Sequence, residues 1–387
     1  MLWLLALSSW QPSYALEITD DMHQGKVVNL SDATLILQDP EHAFTPETAI
    51  RRMSAPNYVS ESLTPSVTQY WFYTLLTNHS QHEQWIIRSA SASLLYDRLD
   101  FYLYCQDQPL HYTPQPPIGL HSPTLANAYY IPVTLPNNTA CVLLQQASGF
   151  ALSNRIQLIT PAVATQQSSQ IAVLNLMGLG AIASLIIYNF LLFASIRNST
   201  YFFYTIYGCF HLTLMILVNF KPPELTNLFA TPHQALRVIS ASVMISAILF
   251  TLRFMRPSIK AARQNPAKPI LSRILIALVT LCWVMISATL LSLLDGLIFP
   301  EHIKYAFRVN IQLYLFSSLL IPALSLVAAL AGYKPAWVFL PAWTILLTGH
   351  IVGALNLLGM VDIPSIMPTI LILAAALRWY CFPMRWG

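Results

Sequence analysis

The chain has 387 residues, long enough for two domains, and its side chains are 55% hydrophobic and only 9% charged. That balance is too apolar for a soluble globular protein. The formal net charge of +4 divides unevenly: 6 basic and 12 acidic residues before position 169 give −6, and 14 basic and 4 acidic after it give +10. The basic excess sits in connections between apolar runs. It therefore suits the anionic face of a membrane and excludes a nucleic-acid footprint.

Met1–Ala15 reads as a signal peptide. Leu2–Leu7 supplies a short apolar core and Ser13-Tyr14-Ala15 a small-x-small cleavage site, although no Lys or Arg precedes them. Residues 16–164 are polar, rich in Pro and broken into short β-prone runs. Strands are expected near Lys26–Leu30, Thr34–Gln38, Gln69–Thr77, Gln84–Ser89, Leu99–Cys105, Tyr129–Leu135, Cys141–Gln146 and Arg155–Thr160, separated by Asn, Asp, Ser and Pro. No helical period of useful length interrupts them, so the expectation is an all-β, jelly-roll-like sandwich. Residues 165–170, with the polar run TQQSS, read as a linker into the membrane half.

Within this exported part Cys105 and Cys141 either form a disulfide, which an oxidising compartment permits, or remain two buried thiols. Trp71, Tyr73, Trp85, Tyr102 and Tyr129 are candidates to stack on a sugar ring. The competing assignment for all five is core packing. Trp71 and Tyr73 share one face of their strand, and Tyr70 and Phe72 the other.

From Ile171 onward seven apolar runs follow: 171–196, 201–219, 236–252, 274–294, 309–331, 336–358 and 363–377. Crossing the hydrocarbon layer takes about 20 apolar residues as helix. The runs lack the alternation of barrel strands, so a seven-helix bundle over residues 171–380 is expected, with 381–387 as a short tail. One set of connections carries Arg197, Arg253, Arg256, Lys260, Arg263, Lys268, Arg273, Lys334, Arg378 and Arg385; the opposite set carries Lys221, Arg237, Lys304 and Arg308. Ten basic residues against four place the first set in the cytoplasm and the β domain outside.

Polar residues inside the runs are Asn175, Asn189, His211, Asn310, Gln312, His350 and Asn356. Such groups face bundle interiors, either in a functional site or in interhelical hydrogen bonds. No Lys lies mid-run, which excludes a retinal Schiff base. No Asp or Glu lies within a run, which disfavours ion-coupled transport. Neither Cys/His spacing nor a phosphate-binding loop suggests a metal, cofactor or enzyme site.

Four segments carry a family resemblance: Tyr70–Asn78 (YWFYTLLTN), Leu94–Tyr102 (LLYDRLDFY), Ile187–Phe193 (IYNFLLF) and Arg197–Tyr204 (RNSTYFFY). In their order and spacing they resemble the bacterial seven-transmembrane receptors with diverse intracellular signalling modules (7TMR-DISM), over about residues 26–380. The resemblance implies an inner-membrane receptor. It further implies that a periplasmic small-molecule ligand, carbohydrate-like in class, is sensed outside and that the signal passes through seven helices to a cytoplasmic output. Where relatives continue into an output domain, this sequence has Arg378–Gly387. It reads either as a sensor-only member acting through a cytoplasmic partner or as a shortened frame. A transporter, or an assembly factor with a periplasmic docking domain, is the competing function.

Overall fold

The computed structural model describes residues 15–23, 27–63, 69–89, 96–105, 108–112, 129–149, 156–220, 229, 232–264, 269–299, 303–341, 343–344 and 348. The expected signal peptide, the seventh apolar run, His350 and Asn356 lie outside them. The chain divides into two compact units, with the boundary between Gln170 and Ile171.

The first unit holds ten strands among the described residues: β1 (Leu16–Ile18), β2 (Val28–Asn29), β3 (Thr34–Gln38), β4 (Gln69–Asn78), β5 (Gln84–Ser89), β6 (Tyr96–Cys105), β7 (Gln108–Tyr112), β8 (Tyr129–Thr134), β9 (Thr139–Gly149) and β10 (Ile156–Ile159). One sheet runs β1-β4-β9-β6-β7, with β3 also on β4; the other runs β2-β10-β5-β8. β1 pairs parallel with Leu76–Asn78, while β3 pairs antiparallel with Tyr70–Thr74, so the two share one edge of β4. Of these ten strands, β1 and β7 have no counterpart in the sequence-based assignment. Three residues are too few to show a period. β7 carries Pro109, which edge strands tolerate because one row of amides needs no partner.

The core lies between the sheets. Tyr70, Phe72, Leu76, Phe101, Leu103 and Leu143 from the first sheet meet Trp85, Ile87, Ile131, Val133, Ile156 and Leu158 from the second. The first sheet also buries its opposite face, through Leu37, Trp71, Tyr73, Val142 and Leu144. Its cover includes a helix. After the short turn α1 (Asp20–His23) comes α2 (Pro46–Met53), a two-turn helix in the mostly β unit that the strand-by-strand reading did not include. Thr45 caps α2: its hydroxyl accepts from the Thr48 amide at 3.4 Å, and Thr48 Oγ1 accepts from the Thr45 amide at 2.8 Å. Pro46 opens the first turn and Arg51 and Arg52 close the last, both favourable positions. Ala49 and Met53, one turn apart, are buried against the sheet.

The second unit contains the apolar helices, the first of which begins ten residues before the boundary. α3 (Pro161–Ile196) is one uninterrupted helix, so the polar stretch expected as a linker at 165–170 is helical instead. Pro161 fits the first helical position, and the Gln residues of TQQSS are good helix formers despite their polarity. Next come α4 (Ser199–Phe220), α5 (Pro232–Phe254), the short α6 (Arg256–Gln264), α7 (Pro269–Ile298) and α8 (Ile303–Leu330). Among the described residues five helices are long and apolar enough to cross a membrane: α3, α4, α5, α7 and α8. The sixth run begins as helix at residues 335–341. The chain is therefore a multi-pass membrane protein.

Two junctions fix one end of the bundle. Arg253 at the end of α5 donates through Nε to the Ser199 hydroxyl at the start of α4, 2.6 Å away. The Tyr333 hydroxyl donates to the Phe254 carbonyl at 3.1 Å. Part of the basic connection that carries Arg256, Lys260 and Arg263 is the amphipathic helix α6, packed on α7: Ser258 is buried, while Arg256 and Lys260 are exposed.

Candidate functional site

The aromatic candidates of the β unit do not converge on one surface. Trp85 is fully buried between the sheets, and its Nε1 donates to the His82 carbonyl at 3.0 Å. Trp71 and Tyr73 lie on the opposite face of the first sheet, in the cluster that α2 joins. Burial raises the Tyr73 phenol above its ordinary value. Tyr102 is half-buried, with its ring 6.2 Å from that of Trp71. Tyr129 pairs with Ser89 through the backbone; its side chain lies outside the described residues. Cys105 and Cys141 are register partners on adjacent strands and form a disulfide, with Cα atoms 4.4 Å apart.

Two polar residues of this unit have no counterpart among the sequence-based candidates. Gln145 shares the face of Leu143 and Ala147, and Ser89 that of Trp85 and Ile87, so both look into the inter-sheet core. Both are fully buried, and among the described residues neither the Gln145 amide nor the Ser89 hydroxyl has a hydrogen-bond partner. The available signal was a glutamine inside an otherwise apolar run, Val142–Leu144 followed by Gln145.

In the helical unit Asn175 and Asn189 are both buried on α3, as their spacing of four turns requires. Asn189 Nδ2 donates to the Leu185 carbonyl at 2.9 Å. His211 is buried on α4 with its ring 5.7 Å from Tyr207. Asn310 is buried on α8 with neither amide atom hydrogen-bonded among the described residues, whereas Gln312 is exposed. A column of rings joins α4 and α5 to the following helical segment: Tyr204 on Phe250 (4.9 Å), Phe254 on Phe339 (4.8 Å) and Tyr207 on Trp343 (5.9 Å).

Arg237 departs most from expectation. Its place at the edge of the 236–252 run assigned it to an outer connection, but it lies within α5 and is fully buried. A Cβ added to Gly296 on α7 would fall inside its guanidinium. Asp295, the neighbour of Gly296, is the carboxylate whose charge acts on it. Asp295 was likewise expected outside the spans and lies within one, Pro269–Gly296.

The helical unit also carries the relationship to known proteins. The family model described as 7TM diverse intracellular signalling matches residues 171–379, which is 209 of the 387 residues. No curated protein and no solved structure matches the chain. The match begins at the boundary between the two units and takes in all five apolar helices from Ile171 onward, and on that ground the chain belongs to the 7TM diverse intracellular signalling (7TMR-DISM) family.

Proposed function

We propose that the chain is a bacterial inner-membrane signalling receptor, not an enzyme. Its β unit, a jelly-roll-like sandwich, senses a small carbohydrate-like ligand in the periplasm after removal of the signal peptide. Seven helices relay the signal to a cytoplasmic partner, with the C-terminus cytoplasmic. The observation that carries this reading is the family match over the helical unit, directly after a folded β unit with its own core. Gln145 and Ser89 add support: buried polar groups without partners are costly, and a polar ligand entering the inter-sheet space would satisfy them. Tyr102 and Tyr129 remain the stacking candidates. The relay starts in α3, whose Ala164 packs on Ile86 and Ile159 of the second sheet. A ligand shifts such a relay only by binding its two states with different affinity.

A reporter fused at Arg263 should read as cytoplasmic and one at Glu301 as periplasmic; the reverse would overturn the orientation. Thermal-shift screening of the full-length protein against mono- and oligosaccharides tests the sensor role. Membrane transport is the competing function, favoured by the charged Arg237 and Asp295 inside the helices. Flux of a labelled solute in reconstituted vesicles would establish transport and reject the receptor. Nucleotide turnover by the purified chain would likewise reject it.

A further inference from the structure

A buried guanidinium must be compensated. Left alone in an apolar interior, a charge costs several kcal/mol, and nature pairs it or supplies a ligand. Arg237 is fully buried, yet its Nε, Nη1 and Nη2 have no hydrogen-bond partner among the described residues. The surroundings are arranged to admit it. Gly296 is the residue of α7 that leaves room for the guanidinium, because any side chain there would occupy the same space. The position is also consistent along the chain: Arg237 lies in the first turns of α5, and Gly296 in the last turn of α7. The Ser292 hydroxyl, one turn before Gly296, donates to the Ala306 carbonyl at 3.3 Å, which brings the first turn of α8 to the same end of the bundle. Both spans reach their limits here, at residues 234 and 296, so the guanidinium sits at an edge of the apolar layer.

From this arrangement we infer that Arg237 is an anion-binding site of the helical unit, taking a monoanionic oxyacid: a carboxylate or a phosphodiester. The planar fork of five N–H donors matches two oxygens of one acid, a fit that a lysine ammonium does not offer. The charge class follows from Asp295. Its carboxylate already acts on the same guanidinium, so a dianion would meet repulsion that a monoanion largely escapes. Two sources supply this chemistry at the edge of a bilayer, an anionic lipid head group and a free carboxylate. The site is separate from the sensor reading of the β unit and does not depend on it.

The test uses the full-length protein purified in neutral detergent. Its melting temperature is followed against sodium acetate, short-chain phosphatidylglycerol, short-chain phosphatidylcholine and sodium chloride. The expected result is saturable stabilisation by acetate or phosphatidylglycerol, with no matching effect of chloride or phosphatidylcholine at equal concentration. A response to phosphatidylglycerol alone assigns the lipid source, and a response to acetate assigns the free carboxylate. Arg237→Lys should abolish the saturable response while keeping the charge. Asp295→Asn should tighten binding by about tenfold, since removing one nearby like charge favours the bound anion by about the equivalent of one pKa unit. If Asp295 were instead the fixed partner of Arg237, its substitution would lower the melting temperature without tightening any anion. That outcome overturns the proposal, as does a stabilisation that chloride reproduces or that survives in Arg237→Lys. Should Arg237→Lys fail to fold, native mass spectrometry of the wild type decides: retention of phosphatidylglycerol or acetate over phosphatidylcholine and chloride, strengthened in Asp295→Asn, supports the site, and its absence rejects it.

Discussion

Trp71 donates its indole N–H to the Asp39 carboxylate across 3.1 Å, tying the start of β4 to the residue that follows β3. The same carboxylate accepts from Gln69 Nε2 at 2.7 Å and from the backbone amides of Ala43 and Phe44 at 2.8 and 3.2 Å. Asp39 is thus the knot between the first sheet and the segment leading into α2.

Asp39→Ala should cost about 3 kcal/mol, because it leaves the buried Trp71 and Gln69 donors unpaired. Burial alone would raise the Asp39 carboxyl, but the hydrogen bonds from Trp71, Ala43, Gln69 and Phe44 outweigh it and hold the group below its ordinary value of 3.8. A depressed folded value stabilises the fold above the ordinary value, and the contribution is lost as the pH falls through the folded one. The wild type should therefore lose more stability than Asp39→Ala as the pH drops from 5 toward 3. Equal losses in paired melting curves would remove Asp39 from the account.

The Cys105–Cys141 bond closes a separation of 36 residues. Replacing both by Ala should cost about 2–4 kcal/mol in the chain-entropy account. Peptide mapping after alkylation should find both thiols protected until reduction. Labelling of either before reduction, in protein isolated under non-reducing conditions, would contradict the bond.

Gly332 follows α8 with φ of 107°, its amide bonded to the Ala329 carbonyl and that of Tyr333 to Ala328, a helix-ending turn that favours glycine. Beyond its chain neighbours, no atom of the described residues lies within 4 Å of a Cβ added there, so steric clash plays no part. Gly332→Ala should therefore cost about 1–2 kcal/mol through backbone strain alone. Gly332→Asn should cost less, since asparagine tolerates this region better. Urea titration of the three proteins checks the order.

Residues 16–160 exported alone should fold as a soluble domain, since both faces of the first sheet are covered within this segment. Circular dichroism should show β structure with a small helical part from α2. A predominantly helical spectrum, or an insoluble product, would refute it.

The sequence shows most where one physical signal dominates. β3 and β5 match their expected limits, because apolar β-formers stop at Asp or polar residues. The first five apolar runs correspond to α3, α4, α5, α7 and α8, because length and hydropathy alone decide a span. What escapes is local or tertiary. α2 rests on a two-threonine cap and two buried residues, too little for a period of 3.6 to emerge. The disulfide depends on β6 lying beside β9, which strand propensity cannot reveal. Trp71 and Trp85 read alike in sequence, and only the alternation along β4 and β5 and the placement of α2 separate their surroundings. Arg237 was misplaced because a charge at the margin of an apolar run looks like a loop residue until the neighbouring helix is known to carry Gly296.

β4 is apolar on both sides, with Tyr70, Phe72 and Leu76 toward one layer and Trp71, Tyr73 and Leu75 toward the other. Strand register is normally enforced by the contrast between a greasy face and a wet one. Here that contrast is missing, and sliding by one residue would exchange one aromatic for another at little hydrophobic penalty. The address of the strand is written in its polar pins instead: Gln69 and Trp71 on Asp39, Thr74 on Thr34 at 2.7 Å, and Asn78 Nδ2 on the Leu135 carbonyl at 2.7 Å. Variants that lose these pins should misalign rather than merely loosen, populating shifted pairings that bury as much surface as the native one and compete with it during folding.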